Sequence, residues 1–531
     1  MLLTVVIFLP LVAAGVLLAA PRLGGRTAIR LWVVASAVDL ALVALMWWRF
    51  DPGPGPAGVV DGLAHEVDLQ WIPTVDAGYH IGVDGLSLPL LALTGVVFLA
   101  SAVYSLREPH RPRSYAALFL FLQTACLGTF AALDLILFFV FFDLTIVGMY
   151  FVIAGWGHGN ARRSALKFFL YTFVGSLALL VGFIGLFLGG EQRTFDMVTL
   201  AADPPLADSP VAGGLVLLAI GLGLAVKTPL FPFHTWLPDA HTGAPAAGSA
   251  VLAGILLKLG TYGFVRIAMP ILPDAWQRWA MVAVVIGVIS VLWGAFVALA
   301  QTDVKRMIAY TSVNHMGYVL LGLGAAGLVA SADEGARTIA TVGAVYQMVS
   351  HGLLTGALFL LSGVLWSRGH TYALDRWGGL ARPAPVFAAS LAVAAFGSLG
   401  LPGLSGFIAE FQVFTGALEA APVATVIAVV GILVTAGLFL LALQRLLTGD
   451  TVVPSGPDTE GEEHPAVEHP AGGTATATRS RTATRMRDLR GHEVASIVPL
   501  LALAVVLGLF PRVLLDVVEP AAAAVVQLVA R

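Results

Sequence analysis

Val226-Lys227-Thr228-Pro229-Leu230-Phe231-Pro232-Phe233-His234-Thr235-Trp236-Leu237-Pro238-Asp239-Ala240-His241 is the stretch on which the reading of this chain turns. An apolar run from about residue 211 leads straight into Lys227, and two prolines follow three residues apart. Proline removes a backbone donor and clashes with the preceding turn, so a helix must break or kink here. At membrane depth such a break survives only inside protein or beside a water-filled cavity. A lysine there costs about 2.5–3.5 kcal/mol on insertion scales. A broken membrane helix carrying a titratable base is the construction expected of ion and proton translocators.

Composition supports a membrane setting. Of 531 residues, 58% are hydrophobic and 11% charged, and mean hydropathy is +0.89. These values lie outside the range of soluble domains and imply an all-α polytopic membrane protein. A net charge of −3 gives no electrostatic footprint for nucleic acid. The single cysteine, Cys126, lies in an apolar run and reads as a small core residue. One cysteine excludes internal disulfides, iron–sulfur ligation and zinc ribbons. Residues 1–20 lack a basic start, and Arg22, Arg26 and Arg30 follow them, so they read as a spanning helix rather than a cleaved signal.

Windows of about twenty apolar residues can each cross a bilayer. About fourteen are expected, with cores at 2–20, 29–48, 86–105, 114–132, 134–154, 164–188, 211–238, 245–269, 279–300, 306–329, 337–366, 385–418, 423–446 and 494–513. Residues 516–530 are apolar but short and interrupted by Pro520, which places them at the interface. Basic residues gather in alternate loops: Arg22, Arg26 and Arg30; Arg107, Arg111 and Arg113; Arg162, Arg163 and Lys167; Lys305 and Arg306; Arg368, Arg376 and Arg382; and the run from Arg479 to Arg490. The other loops hold little beyond Arg49, Arg193, Arg278 and Arg337. The asymmetry predicts an inner (plasma) membrane protein with both termini outside and the arginine-rich loops cytoplasmic.

Residues 51–83 are Pro/Gly-rich and then partly alternating, which predicts a short hairpin on the outer face. Residues 447–492 are polar, with an acidic, histidine-bearing half (Glu460, Glu462, Glu463, His464, Glu468, His469) and a basic half. They read as a disordered cytoplasmic linker, with nothing that fixes metal-ligand geometry and an arginine run suited to anionic lipid headgroups. The expected division is therefore 1–112, N-terminal helices and outer loop; 113–270, a first half-channel repeat; 271–447, a second, inverted one; 448–493, the linker; and 494–531, a final helix and tail.

Ionisable residues inside apolar windows are functional candidates by default. They are Asp143, Lys227, Lys258, His315, His351 and Glu410, the last following a second broken stretch, Gly400-Leu401-Pro402-Gly403. The bland readings are a structural ion pair for the lysines and acids, and an interhelical hydrogen bond for a neutral histidine. His234 and His241 flank the first break and either join a relay or satisfy carbonyls freed there. Asp39 stands apart and reads chiefly as helix–helix glue. Two five-helix blocks, about 114–269 and 279–446, each carry a Pro-broken helix in fourth position, at Pro229 and Pro402. Five is odd, so the second block is expected upside down, with the transport site at the matching breaks.

The run from Lys227 to Pro245 resembles the proton-translocating antiporter-like membrane subunits of NADH–quinone oxidoreductase (respiratory complex I). So do Leu256-Leu257-Lys258-Leu259-Gly260-Thr261-Tyr262-Gly263, Asp303-Val304-Lys305-Arg306-Met307-Ile308-Ala309-Tyr310-Thr311-Ser312-Val313 and Gly82-Val83-Asp84-Gly85-Leu86-Ser87, and the resemblance covers nearly the whole chain. Glu410 on the second broken helix, where sister branches resemble one another in having lysine, and the lack of a long lateral helix point to the M-type branch. The resemblance implies that Lys227 is the central lysine of the first half-channel and Asp143 its acidic partner. It makes Lys258, His315 and His351 a midplane relay with Glu410 as terminal carboxylate, and it brings Lys305 in as a further candidate. The partner acid is usually glutamate, and Asp143 is one methylene shorter, so a bridging water is expected if it does not reach Lys227. The usual His-Thr-Glu-Ala-Pro junction has Gly243 in place of its acid, and the 447–492 loop is unusually long.

A buried lysine loses proton affinity by desolvation and regains it beside a carboxylate, so a carboxylate that approaches and recedes acts as a switch. Moving one charge against roughly 180 mV costs about 4 kcal/mol, which corresponds to about three units of pKa. The chain has no dinucleotide fingerprint, cysteine cluster or haem motif. The resemblance therefore implies an enzyme only as a subunit, with FMN, iron–sulfur clusters and quinone in partner chains. It also implies L-type and N-type membrane subunits on either side, within the lipid bilayer. A subunit of an Mrp-type sodium/proton antiporter or of a membrane-bound hydrogenase is the alternative.

Overall fold

The computed structural model describes all residues except 21, 52–62, 109, 455–458 and 462–483. The chain opens with α1 (Leu2–Ala19) and α2 (Gly25–Arg49), then an antiparallel hairpin of β1 (Ala64–Ile72) and β2 (Ala77–Val83). There follow α3 (Ser87–Tyr104), α4 (Pro112–Ala131), α5 (Leu135–Trp156), α6 (Ala161–Gly189), the short α7 (Met197–Ala202), α8 (Pro210–Lys227) and α9 (Leu237–Gly243). Then come α10 (Ala246–Ile271), α11 (Pro273–Leu299), α12 (Val304–Ala326), α13 (Glu334–Gly369), α14 (Pro385–Ser398), α15 (Ser405–Ala420) and α16 (Pro422–Leu447). A small hairpin, β3 (Thr459–Gly461) with β4 (Thr484–Met486), precedes α17 (Gly491–Leu509) and α18 (Arg512–Val529).

Local sequence explains the boundaries. Pro112, Pro210, Pro273, Pro385 and Pro422 each begin a helix, where a fixed φ is an advantage and the missing N–H costs nothing. Asp134, Asp196, Asp303 and Asp333 cap α5, α7, α12 and α13 by accepting from first-turn amides.

Each expected apolar window holds helix, and among the described residues twelve helices are long and apolar enough to cross a membrane. The two expected spans outside that set are α12, whose polar residues include Asn314 and His315, and the pair α14–α15, which the break divides into shorter pieces. α10 and α13 are buried all round, whereas Val174 on α6, Leu218 on α8 and Leu433 on α16 are exposed on the flanks. The most enclosed helices thus carry ionisable groups, Lys258 on α10 and His351 on α13.

Both breaks are real, and they differ. The first, residues 228–236, separates α8 from a seven-residue α9 and leaves Lys227 as the last residue of α8. The second, residues 399–404, separates α14 from a sixteen-residue α15 that carries Glu410. Gly400 turns at φ +78°, a conformation that favours glycine, and a Cβ there would press on Glu410 Oε2. Gly260 of α10 permits a close approach to the first break, since a Cβ would press on Thr228 Oγ1 and on the Leu224 carbonyl.

The expected hairpin forms, with Val67 opposite Ile81 and Leu69 opposite Tyr79. The reading of 447–492 as wholly disordered is corrected at both ends. Val452 pairs with Gly378, and Asp488 accepts from the amides of Val386 and Phe387 at 2.9 Å each, capping α14. Composition pointed to disorder, but these few residues satisfy a helix terminus that would otherwise have unpaired amides. Most of the acidic, histidine-bearing half lies outside the described residues. The tail read as interfacial forms α18, whose Val518, Val525 and Val529 are buried, while Gln527 donates to Glu334 at the start of α13.

Candidate functional site

Lys227 is 1% exposed. Its Nζ donates to Thr145 Oγ1 at 2.8 Å and lies 4.6 Å from the centre of the Phe142 ring. The backbone freed by the break is re-satisfied: Leu230 N donates to Ala225 O at 3.0 Å, Phe231 N to Ser290 Oγ at 3.0 Å, and Trp236 Nε1 to Val226 O at 2.9 Å. No hydrogen bond joins Lys227 to Asp143 among the described residues, although the carboxylate lies within coulombic range of the ammonium. Asp143 Oδ1 is buried and without a hydrogen-bond partner among the described residues. Asp143 and Thr145 are two residues apart on α5, so they leave the helix on different sides, and the shorter carboxylate leaves the ammonium to the threonine.

The midplane group is brought together. Lys258 Nζ bonds His351 Nδ1 at 2.6 Å and donates to Ala253 O. The His351 and His315 rings are 5.3 Å apart, and His315 Nε2 bonds Ser398 O, at the rim of the second break, at 3.0 Å. A cavity of about 10 Å³ is lined by His315, His351, Ser398 and Glu410, about the room one water needs. Lys258, the two histidines and Glu410 thus form one buried polar line from α10 to α15. α10 widens to π-helix at Leu252–Leu256 and Phe264–Ala268, on either side of Lys258. Such bulges frequently mark functional positions, and no periodicity in the sequence announced them.

His241 is fully buried, stacks on Phe359 at 4.3 Å, and has both ring nitrogens unpartnered among the described residues. It lies within coulombic range of Lys305 and Lys258. Lys305 is 0% exposed, donates to Ala244 O at 2.5 Å and sits 5.1 Å from the Tyr372 ring. His234 accepts from Trp293 Nε1 at 3.0 Å beside Phe231, which suits a packing role at the break. Asp39 accepts from Gln123 at 2.8 Å, and Gln123 accepts from Ser36 at 2.7 Å, as helix–helix glue should.

Sequence reading missed two buried ion pairs, Arg266–Asp84 at 2.6 Å and Arg368–Glu493 at 2.7 Å. It also missed a cluster at the β1–β2 hairpin in which His80 bonds Asp196 at 2.5 Å and Glu66 at 2.8 Å. Burial opposes the charge of His80, but the two carboxylates prevail and raise it to about 9. Among the described residues no group of histidine, cysteine and acidic side chains could hold a metal ion.

Residues 132–435 match the family model described as NADH:quinone oxidoreductase/Mrp antiporter, TM. The chain is 34% identical over 540 residues to NADH-quinone oxidoreductase subunit M of Rhodobacter capsulatus, covering 99% of this chain and 96% of that one. It is 40% identical over 388 residues to F(420)H(2) dehydrogenase subunit M of Methanosarcina mazei, covering 72% and 76%. A chain of respiratory complex I from Thermus thermophilus with bound NADH superposes with a TM-score of 0.83 at 28% identity, covering 100% of both chains.

Proposed function

Because the chain belongs to the NADH:quinone oxidoreductase/Mrp antiporter family of membrane subunits, we propose that it is the antiporter-like M-type subunit of a proton-translocating NADH-quinone oxidoreductase. It carries no redox centre of its own; FMN, iron–sulfur clusters and quinone belong to partner chains, and L-type and N-type membrane subunits flank it. The observation that carries the reading is the gathering of Lys258, His351, His315 and Glu410 between the middle of the fold and the second break, the histidines and Glu410 around a cavity large enough for one water.

In this mechanism the chain makes no bond on a substrate. Lys227 holds a proton against Thr145, and rearrangement at the break brings or withdraws the Asp143 carboxylate, which switches the lysine between holding and releasing it. The proton charge then passes along Lys258, His351 and His315 to Glu410, which gives it to the far side. The energy comes from electron transfer in other subunits. The Mrp reading is less favoured, because relatives matched over most of the chain are oxidoreductase subunits. The F(420)H(2) relative indicates that the electron donor is set outside this chain. Purification of the intact complex tests the assignment. Co-purifying flavin and iron–sulfur subunits with NADH-driven quinone reduction are expected; co-purification only with cation-antiporter subunits would overturn it.

A further inference from the structure

On the face that carries the arginine-rich loops, a cavity of about 480 Å³ opens between the α3–α4 loop, the α5–α6 loop, the end of α13 and the start of α17. Charged and titratable groups line it, among them Arg107, Glu108, His158, Tyr372 and Glu493. Its inner wall is one layer from the buried relay. His158 stacks on Trp366 at 4.5 Å, and Trp366 stacks on Tyr372 at 4.9 Å. His158 N donates to Gly243 O at 2.9 Å, while the next carbonyl, Ala244 O, accepts from Lys305 Nζ at 2.5 Å. Val304 N donates to Tyr372 O at 2.9 Å, which ties the tyrosine to the turn carrying Lys305. Tyr372 Oη is buried without a partner among the described residues. Beyond Lys305 lies His241, which is within coulombic range of both Lys305 and Lys258.

We propose that this vestibule is the mouth from which protons reach the buried relay, with the His158 imidazole as first carrier, Lys305 as first buried acceptor and Tyr372 as the group that positions them. The proposal rests on the proton-translocating reading above and adds to it a side and a path: vestibule, His158, Lys305, His241, Lys258. Each hop conserves protons. A hydronium ion in the vestibule gives one proton to the unprotonated nitrogen of His158 and becomes water. The imidazolium gives one to the unprotonated Lys305 amine and returns to imidazole. Burial first, then the charges of Lys305 and His370, hold His158 down to about 4.

The test uses the assembled complex in inverted vesicles, with the arginine-rich face outward and NADH as donor. His158→Ala is expected to slow proton pumping by about tenfold or more. Imidazole added outside should restore it; imidazole confined to the lumen should not. Tyr372→Phe should slow pumping less, without imidazole rescue. If His158→Ala does not assemble on native gels, His158→Gln, which keeps a planar group over Trp366, is read in the same way. Pumping unchanged by the His158 substitution, or restored only from the lumen, overturns the proposal. Glu410→Ala is run beside it. Lost pumping there with normal pumping in the His158 variant removes the vestibule alone, whereas normal pumping in both removes the proposed relay as well.

Discussion

Lys227 donates its hydrogen bond to Thr145 and not to Asp143, and that changes what individual substitutions should do. Lys227→Ala removes the titratable group at the first break but little apolar packing, so the complex should assemble, oxidise NADH and fail to pump. Lys227→Arg should fail as well, because a guanidinium does not deprotonate near neutral pH. Thr145→Val removes the only hydrogen bond to Lys227 Nζ among the described residues. A hydrogen bond to a charged group is worth about 1.5–3 kcal/mol, so pumping should shift its pH profile rather than vanish. Asp143→Ala should be nearly as damaging as Lys227→Ala, and Asp143→Glu mild, since the added methylene lengthens the reach toward Lys227. Pumping per electron pair in vesicles, with assembly checked on native gels, measures all five; wild-type pumping by assembled Lys227→Ala would remove Lys227 from the mechanism.

At the scale of elements, the second break and the outer hairpin each make a prediction. Gly400 combines φ +78° with contact to Glu410. Gly400→Ala costs about 1–2 kcal/mol in backbone conformation and also displaces the carboxylate. It should depress pumping more than assembly, which a ratio of the two would show. For the hairpin, the folded-state value of His80 is about 9 against an ordinary 6.5. A raised value means stabilisation that is complete below about 6.5 and lost as pH climbs through about 9. Amide exchange in 64–83 should accelerate across that window and become pH-independent, beyond the intrinsic base catalysis, in His80→Gln. No difference between the two proteins would show that Asp196 and Glu66 do not hold the hairpin. Arg368→Ala leaves Glu493 buried without its partner and should cost about 3–5 kcal/mol, read as loss of the detergent-extracted complex.

For the whole molecule, the alternation of basic loops predicts sidedness. A reporter within 462–483 should lie in the cytoplasm and one after Arg531 outside; both on one side would contradict the span count. The same alternation predicts that the vestibule, bounded by Arg107, His158 and Glu493, faces the cytoplasm.

The sequence by itself determined the membrane class, the helical windows, both breaks and the buried charges. These follow from local physics: apolar length, proline chemistry and the cost of a charge in hydrocarbon. It placed Lys258, His315, His351 and Glu410 as candidates but could not say that they meet. Lys258 and His351 are 93 residues apart and touch only because α10 packs on α13. Tertiary structure alone decided that Lys227 donates to Thr145 instead of Asp143, because half a turn around α5 and one methylene lie below what a pattern records. It also decided that Arg266 and Arg368 have acids to meet, and that Asp488, in a stretch whose composition argues for disorder, returns to cap α14. Each depends on which distant surfaces come together, and a helical or apolar period carries no information about that.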